Sequence, residues 1–68
     1  MLRQYYTAEI HVRTKAGDLV TIYHDTFGPV GMSAARVRAA AEKVALAEVP
    51  GGRVEGSRVS TDGKHHPA

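Results

Sequence analysis

Between Tyr5 and Thr14, the residues Tyr6, Ala8, Ile10 and Val12 occupy every second position. Thr7, Glu9, His11 and Arg13 lie between them. That period of two is the mark of a strand with one side buried. Residues 18–27 repeat the composition, with Val20 and Ile22 alternating with Leu19, Thr21 and Tyr23. The two runs are joined by Lys15-Ala16-Gly17. A three-residue hairpin loop ends in a left-handed residue, a position that suits glycine. This loop predicts Thr14 opposite Asp18, Val12 opposite Val20, Ile10 opposite Ile22, Ala8 opposite His24 and Tyr6 opposite Thr26. A two-residue turn at Ala16-Gly17 would set Ile10 against Tyr23 and scatter the apolar side chains. The three-residue loop is therefore preferred. Tyr5, Thr7, Glu9, His11 and Arg13 then share the second face with Phe27, Asp25, Tyr23, Thr21 and Leu19.

The period changes after Phe27. Gly28-Pro29-Val30-Gly31 is rich in turn formers, and Ser33 suits a helix N-cap with Met32 ready to staple onto Val37. The glycine spacing is also that of a loop before a helix N-terminus, where anions bind. It lacks the further glycines or the Gly-Lys-Ser/Thr ending of a phosphate loop, and plain turn geometry is the better reading. Ala34 to Val49 contains no glycine or proline, and Pro50-Gly51-Gly52 ends it. Val37, Ala40, Ala41 and Val44 are expected to form its core stripe. Ala35, Ala39 and Leu46 point elsewhere, with Leu46 exposed. Arg53 to Thr61 reads as a third, weaker strand. Val54 and Val59 have opposite parity, so they share a face only across a bulge, expected near Gly56.

These elements predict an α+β fold of order β-β-α-β: a three-stranded, mainly antiparallel sheet with one helix packed on one face. The third strand is expected beside the first, giving the order 3-1-2. Residues 1–62 are expected to form a single small domain and 63–68 a flexible polar tail.

Composition narrows the chemistry. The chain has 68 residues, 43% of them hydrophobic. A domain of this size buries only about 60% of its unfolded surface. It contains no cysteine, which excludes disulfides, thiolate catalysis and cysteine-ligated metals. No apolar run approaches a membrane span, and residues 1–6 lack a signal-peptide core, so a cytoplasmic location is expected. The abundance of Ala, Arg, Val and Gly suggests a GC-rich bacterial or phage source.

Candidate chemistry is sparse. His65 and His66 are adjacent, and two ligands alone make a poor metal site. His11 and His24 fall on opposite faces, and so do His24 and Asp25. No serine sits in a nucleophile motif. No enzyme activity, cofactor or metal is expected. The second sheet face is too polar for a core and too aromatic for an ordinary solvated surface, which points to contact with a partner. The expected function is a small non-enzymatic protein-interaction module, a homodimer or an accessory protein that occupies a host protein. Its expected contact residues are Tyr5, Glu9, His11, Tyr23, Phe27 and, on the helix, Leu46. The alternative is nonspecific nucleic-acid binding through Arg13, Lys15, Arg36, Arg38 and Lys43, with Tyr5 and Tyr23 stacking on bases. The net charge of only +2, spread along the chain, permits that reading without demanding it.

Overall fold

The structure, a computed structural model, describes residues 2–61. The tail assigned to residues 63–68 lies outside the described residues. Two long strands, β1 (Arg3–Arg13) and β2 (Leu19–Pro29), are followed by α1 (Ala34–Glu48) and β3 (Arg53–Ser60). They form one antiparallel sheet in the order β2-β1-β3. This is the small α+β fold, and the strand order, anticipated by the sequence.

The hairpin closes as the loop chemistry requires. Thr14 N–H donates to the Asp18 carbonyl at 2.7 Å, and Gly17 N–H donates to the Thr14 carbonyl at 2.9 Å. Gly17 has φ +100°, a conformation a side chain would strain. The register sets Val12 opposite Val20, Ile10 opposite Ile22 and Ala8 opposite His24. The strands themselves differ from the expected bounds: β1 starts at Arg3, and β2 runs on to Pro29. Gly28-Pro29 reads as a turn in the sequence, yet β2 is an edge strand, where a proline without an N–H is tolerated.

The core lies between the sheet and the helix. Tyr6, Ala8, Ile10 and Val12 of β1 pack against Val37, Ala41 and Ala45 of α1, with Val20, Ile22, Met32, Val49, Val54 and Val59 around them. The helix stripe therefore differs from the expected one. Ala41 and Val37 are buried, but Ala45 replaces Val44, and Ala40 and Val44 face water. The contact follows the i, i+4 row of the helix, which is the ridge that lies along its neighbours. α1 also lies over β1 and β3 more than over β2. Arg38 is half-buried there, its Nε donating to Ser57 Oγ on β3 at 2.8 Å.

Both helix ends are tied down. Ser33 caps the N-terminus, its Oγ accepting from Arg36 N–H at 3.1 Å. The Tyr6 hydroxyl reaches the turn from below, donating to the Pro29 carbonyl and accepting from Met32 N–H at 3.1 Å. At the other end Gly52 sits against β1: a Cβ there would come within 2.6 Å of Val12 Cγ1 and 2.9 Å of the Val49 carbonyl oxygen.

β3 carries the bulge. Gly56 pairs with His11 and Val54 with Val12, which leaves Glu55 as the extra residue beside Gly56. The bulge restores parity, so Val59 opposite Ala8 and Val54 opposite Val12 share the core side. The Cα trace measures 43 × 21 × 15 Å, and its smallest dimension holds two layers only.

Candidate protein-interaction face

Because successive strand residues point to opposite faces, burying the even-numbered residues of β1 dictates what the odd-numbered ones present. Tyr5, Thr7, Glu9, His11 and Arg13 line the uncovered face. Opposite them in β2 stand Phe27, Asp25, Tyr23, Thr21 and Leu19. β3 contributes Ser60 opposite Thr7 and Arg58 opposite Glu9.

Three large apolar side chains run along β2 on this face. Leu19 is 52% exposed, Tyr23 55% and Phe27 60%. Tyr5 and Phe27 meet across the strands, with ring centroids 5.0 Å apart and planes tilted by 45°. The Tyr5 hydroxyl donates to Asp25 Oδ2 at 3.1 Å. Partial desolvation, this bond and the Asp25 charge together raise the Tyr5 pKa. Toward the middle of the face His11 Nε2 lies 2.6 Å from Glu9 Oε2. At the hairpin end Arg13 forms a two-pronged pair with Glu55: Nε and Nη2 each donate to one carboxylate oxygen at 3.0 Å. Arg13 Nη1 also donates to the Gly17 carbonyl at 3.0 Å. Arg13 holds Glu55 below the usual carboxylate range, chiefly through this hydrogen bonding, with Arg53 adding to the effect from 3.7 Å.

The sequence-derived contact residues thus divide into two groups. Tyr5, Glu9, His11, Tyr23 and Phe27 come together on the open sheet face. Leu46, 41% exposed, belongs to the helix layer on the other side of the sheet. The basic set divides too. Arg13 is on the sheet face and engaged with Glu55, and Lys15 is in the hairpin loop. Arg36 and Lys43 are exposed on α1, and Arg38 is turned toward β3. These five do not form a continuous surface.

Leu19 and Arg58 also belong to the open face. Leu19 was legible by counting back in fours from Phe27 and Tyr23. Arg58 was not, because its face depends on where the bulge falls.

Apart from the His11–Glu9 pair, side chains of catalytic type do not converge among the described residues. His24 shares its side of β2 with the core while Asp25 faces outward, Ser33 caps the helix and Ser57 accepts from Arg38. Among the described residues no group of three or more His, Cys, Asp or Glu is placed to hold a metal. No helix among them is long and apolar enough to cross a membrane. Comparison with protein families, with curated proteins and with solved structures finds no match to this chain.

Proposed function

We propose that this chain is a non-enzymatic protein-interaction module that works through its open sheet face. One observation carries the reading: Tyr5, Tyr23, Phe27 and Leu19 lie on a single uncovered face. Aromatic side chains bring large contact area at low entropic cost, and they dominate the centres of protein interfaces. The surrounding Glu9, His11, Asp25 and Arg13 supply the polar rim such a centre needs. The strands beneath are fixed by the core on their other side, so the face is preformed.

Nucleic-acid binding is the weaker reading, since the residues assigned to it lie on opposite layers and Arg13 is already engaged by a carboxylate. Photo-crosslinking in expressing cells tests the choice. Tyr23→benzoylphenylalanine should yield protein adducts, and Lys43→benzoylphenylalanine on the helix should not. Adducts to nucleic acid, or no adduct from position 23 in a folded chain, would overturn the proposal.

A further inference from the structure

The two edges of the sheet are built differently. β3 has 8 residues, carries Arg53, Glu55 and Arg58, and is interrupted by its bulge. Short length, charge and bulges are the devices that keep an edge from pairing with another chain. β2 has little of this, with a proline only at its very end, Pro29. It runs 11 residues in unbroken register with β1, and Asp25 is its sole Asp, Glu, Lys or Arg.

The hairpin closure shows which backbone groups face that outer edge. Thr14 N–H bonds to the Asp18 carbonyl, and bonding alternates along an antiparallel ladder. Val20, Ile22, His24 and Thr26 therefore bond inward to β1. Leu19, Thr21, Tyr23, Asp25 and Phe27 turn their N–H and C=O outward, where no strand among the described residues pairs with β2; at the end of the row the Phe27 carbonyl accepts from Thr26 Oγ1 at 3.3 Å and Arg3 Nη2 at 3.5 Å. The next outward position is Pro29, which has no N–H.

We infer that this edge pairs with the same edge of a second copy, antiparallel about a two-fold axis at Tyr23. The inference goes beyond the open face as a protein-binding surface: it assigns the edge beside that face to a second copy. The outward residues read almost the same from both ends: an apolar Leu19 or Phe27, a polar Thr21 or Asp25, and Tyr23 at the centre. An isologous interface requires that self-complementarity. With Tyr23 opposite Tyr23 of the second copy, Leu19 meets Phe27 and Thr21 meets Asp25. Moving the axis to Asp25 sets two carboxylates against each other. Moving it to His24 sets Leu19 against Pro29, whose missing N–H leaves that pair with one of its two bonds; moving it to Ile22 sets Leu19 against Asp25. On the helix side, Val20 and Ile22 are only half-buried, so pairing adds neighbours on both faces of β2. The two open faces become one continuous surface.

Sedimentation equilibrium of the wild-type chain at micromolar concentration, joined to cysteine crosslinking, tests this. The chain has no cysteine of its own. Hydrogen-bonded antiparallel partners have Cα atoms about 5.5 Å apart, within disulfide range. The wild type should sediment at twice the monomer mass of 7.3 kDa, and Tyr23→Cys should crosslink to itself on oxidation. Leu19→Cys should not, because the two copies of residue 19 would be about 27 Å apart. Thr21→Pro, which removes an outward N–H alone, should halve the mass while keeping the circular dichroism of the fold. A folded wild-type monomer, a Leu19→Cys crosslink as efficient as that of Tyr23→Cys, or a Thr21→Pro dimer would overturn the inference. A monomer whose position 23 still photo-crosslinks to another protein overturns the pairing alone. A monomer with no such adduct overturns the wider proposal as well.

Discussion

β1 supplies two surfaces from one run of residues. On its even positions Tyr6, Ile10 and Val12 are wholly enclosed, and Tyr6 is the sole member with a polar atom, which is bonded at both of its capacities. On its odd positions Tyr5, Glu9, His11 and Arg13 hold polar contacts with neighbours on the sheet, and no other layer among the described residues covers them. The even set answers to packing and leaves little freedom of side-chain choice. The odd set answers to no internal requirement of that kind, so its aromatic content calls for an external explanation. The alternation that makes the strand thus separates what folds the molecule from what it presents.

Substitutions on the two sides should differ accordingly. The largest effect belongs to Ile10→Ala, which opens a cavity under the helix and should cost about 2–5 kcal/mol in urea unfolding. That is much of what a domain this small possesses. Gly52→Ala forces Val12 and the Val49 carbonyl apart at the helix–sheet junction. Overpacking of this kind costs about 1–3 kcal/mol, and its thermal unfolding should show the loss. Tyr6→Phe keeps the ring but leaves Met32 N–H and the Pro29 carbonyl without their hydroxyl partner. Losing these part-buried hydrogen bonds should cost about 0.5–1.5 kcal/mol.

On the opposite face Tyr23→Ser should shift the stability of the isolated chain by no more than about 0.5 kcal/mol. Its clear effect should be on concentration dependence. Association of folded chains raises the melting temperature by mass action, and this variant should abolish the rise. A loss of stability matching that of Ile10→Ala would erase the distinction between the faces. The smallest effect concerns acid. Glu55 has a lowered folded-state pKa because Arg13 favours its carboxylate. Its stabilising contribution is complete above the unfolded-state pKa and is lost as pH falls through the lowered folded-state value. Glu55→Gln should flatten that part of the acid limb while leaving neutral-pH structure intact, as a surface ion pair implies.

Much of this division was legible in the sequence. The alternation at Tyr6, Ala8, Ile10 and Val12 together with Gly17 at the loop end determined the register, because a one-residue slip would have exposed every apolar side chain. The opposing valine parities of β3 required a bulge, and it lies beside Gly56. The helix roll was harder to read. Ala40, Ala41, Val44 and Ala45 differ too little in apolar area for the sequence to say which face looks inward. The roll was decided by tertiary features: where α1 sits over β1 and β3, and where Arg38 finds Ser57. The extension of β2 through Gly28-Pro29 was hidden because local turn propensity opposed it, and only the strand's place at the sheet edge removed the conflict. For the face itself, Tyr5, Glu9, His11, Tyr23 and Phe27 followed from the register. Leu46 reads from the sequence as a second, separate contact surface, and it lies in the helix layer.

Amide hydrogen exchange, resolved residue by residue in β2 at low and high protein concentration, separates a paired outer edge from a bare one. The amides of Val20, Ile22 and His24 bond to β1 and should be protected at both concentrations. If β2 pairs with a second copy, the amides of Thr21, Tyr23 and Asp25 gain protection as concentration rises, with Tyr23 at the middle of the protected run. Fast exchange of those three at every concentration, beside a protected inner set, would contradict it.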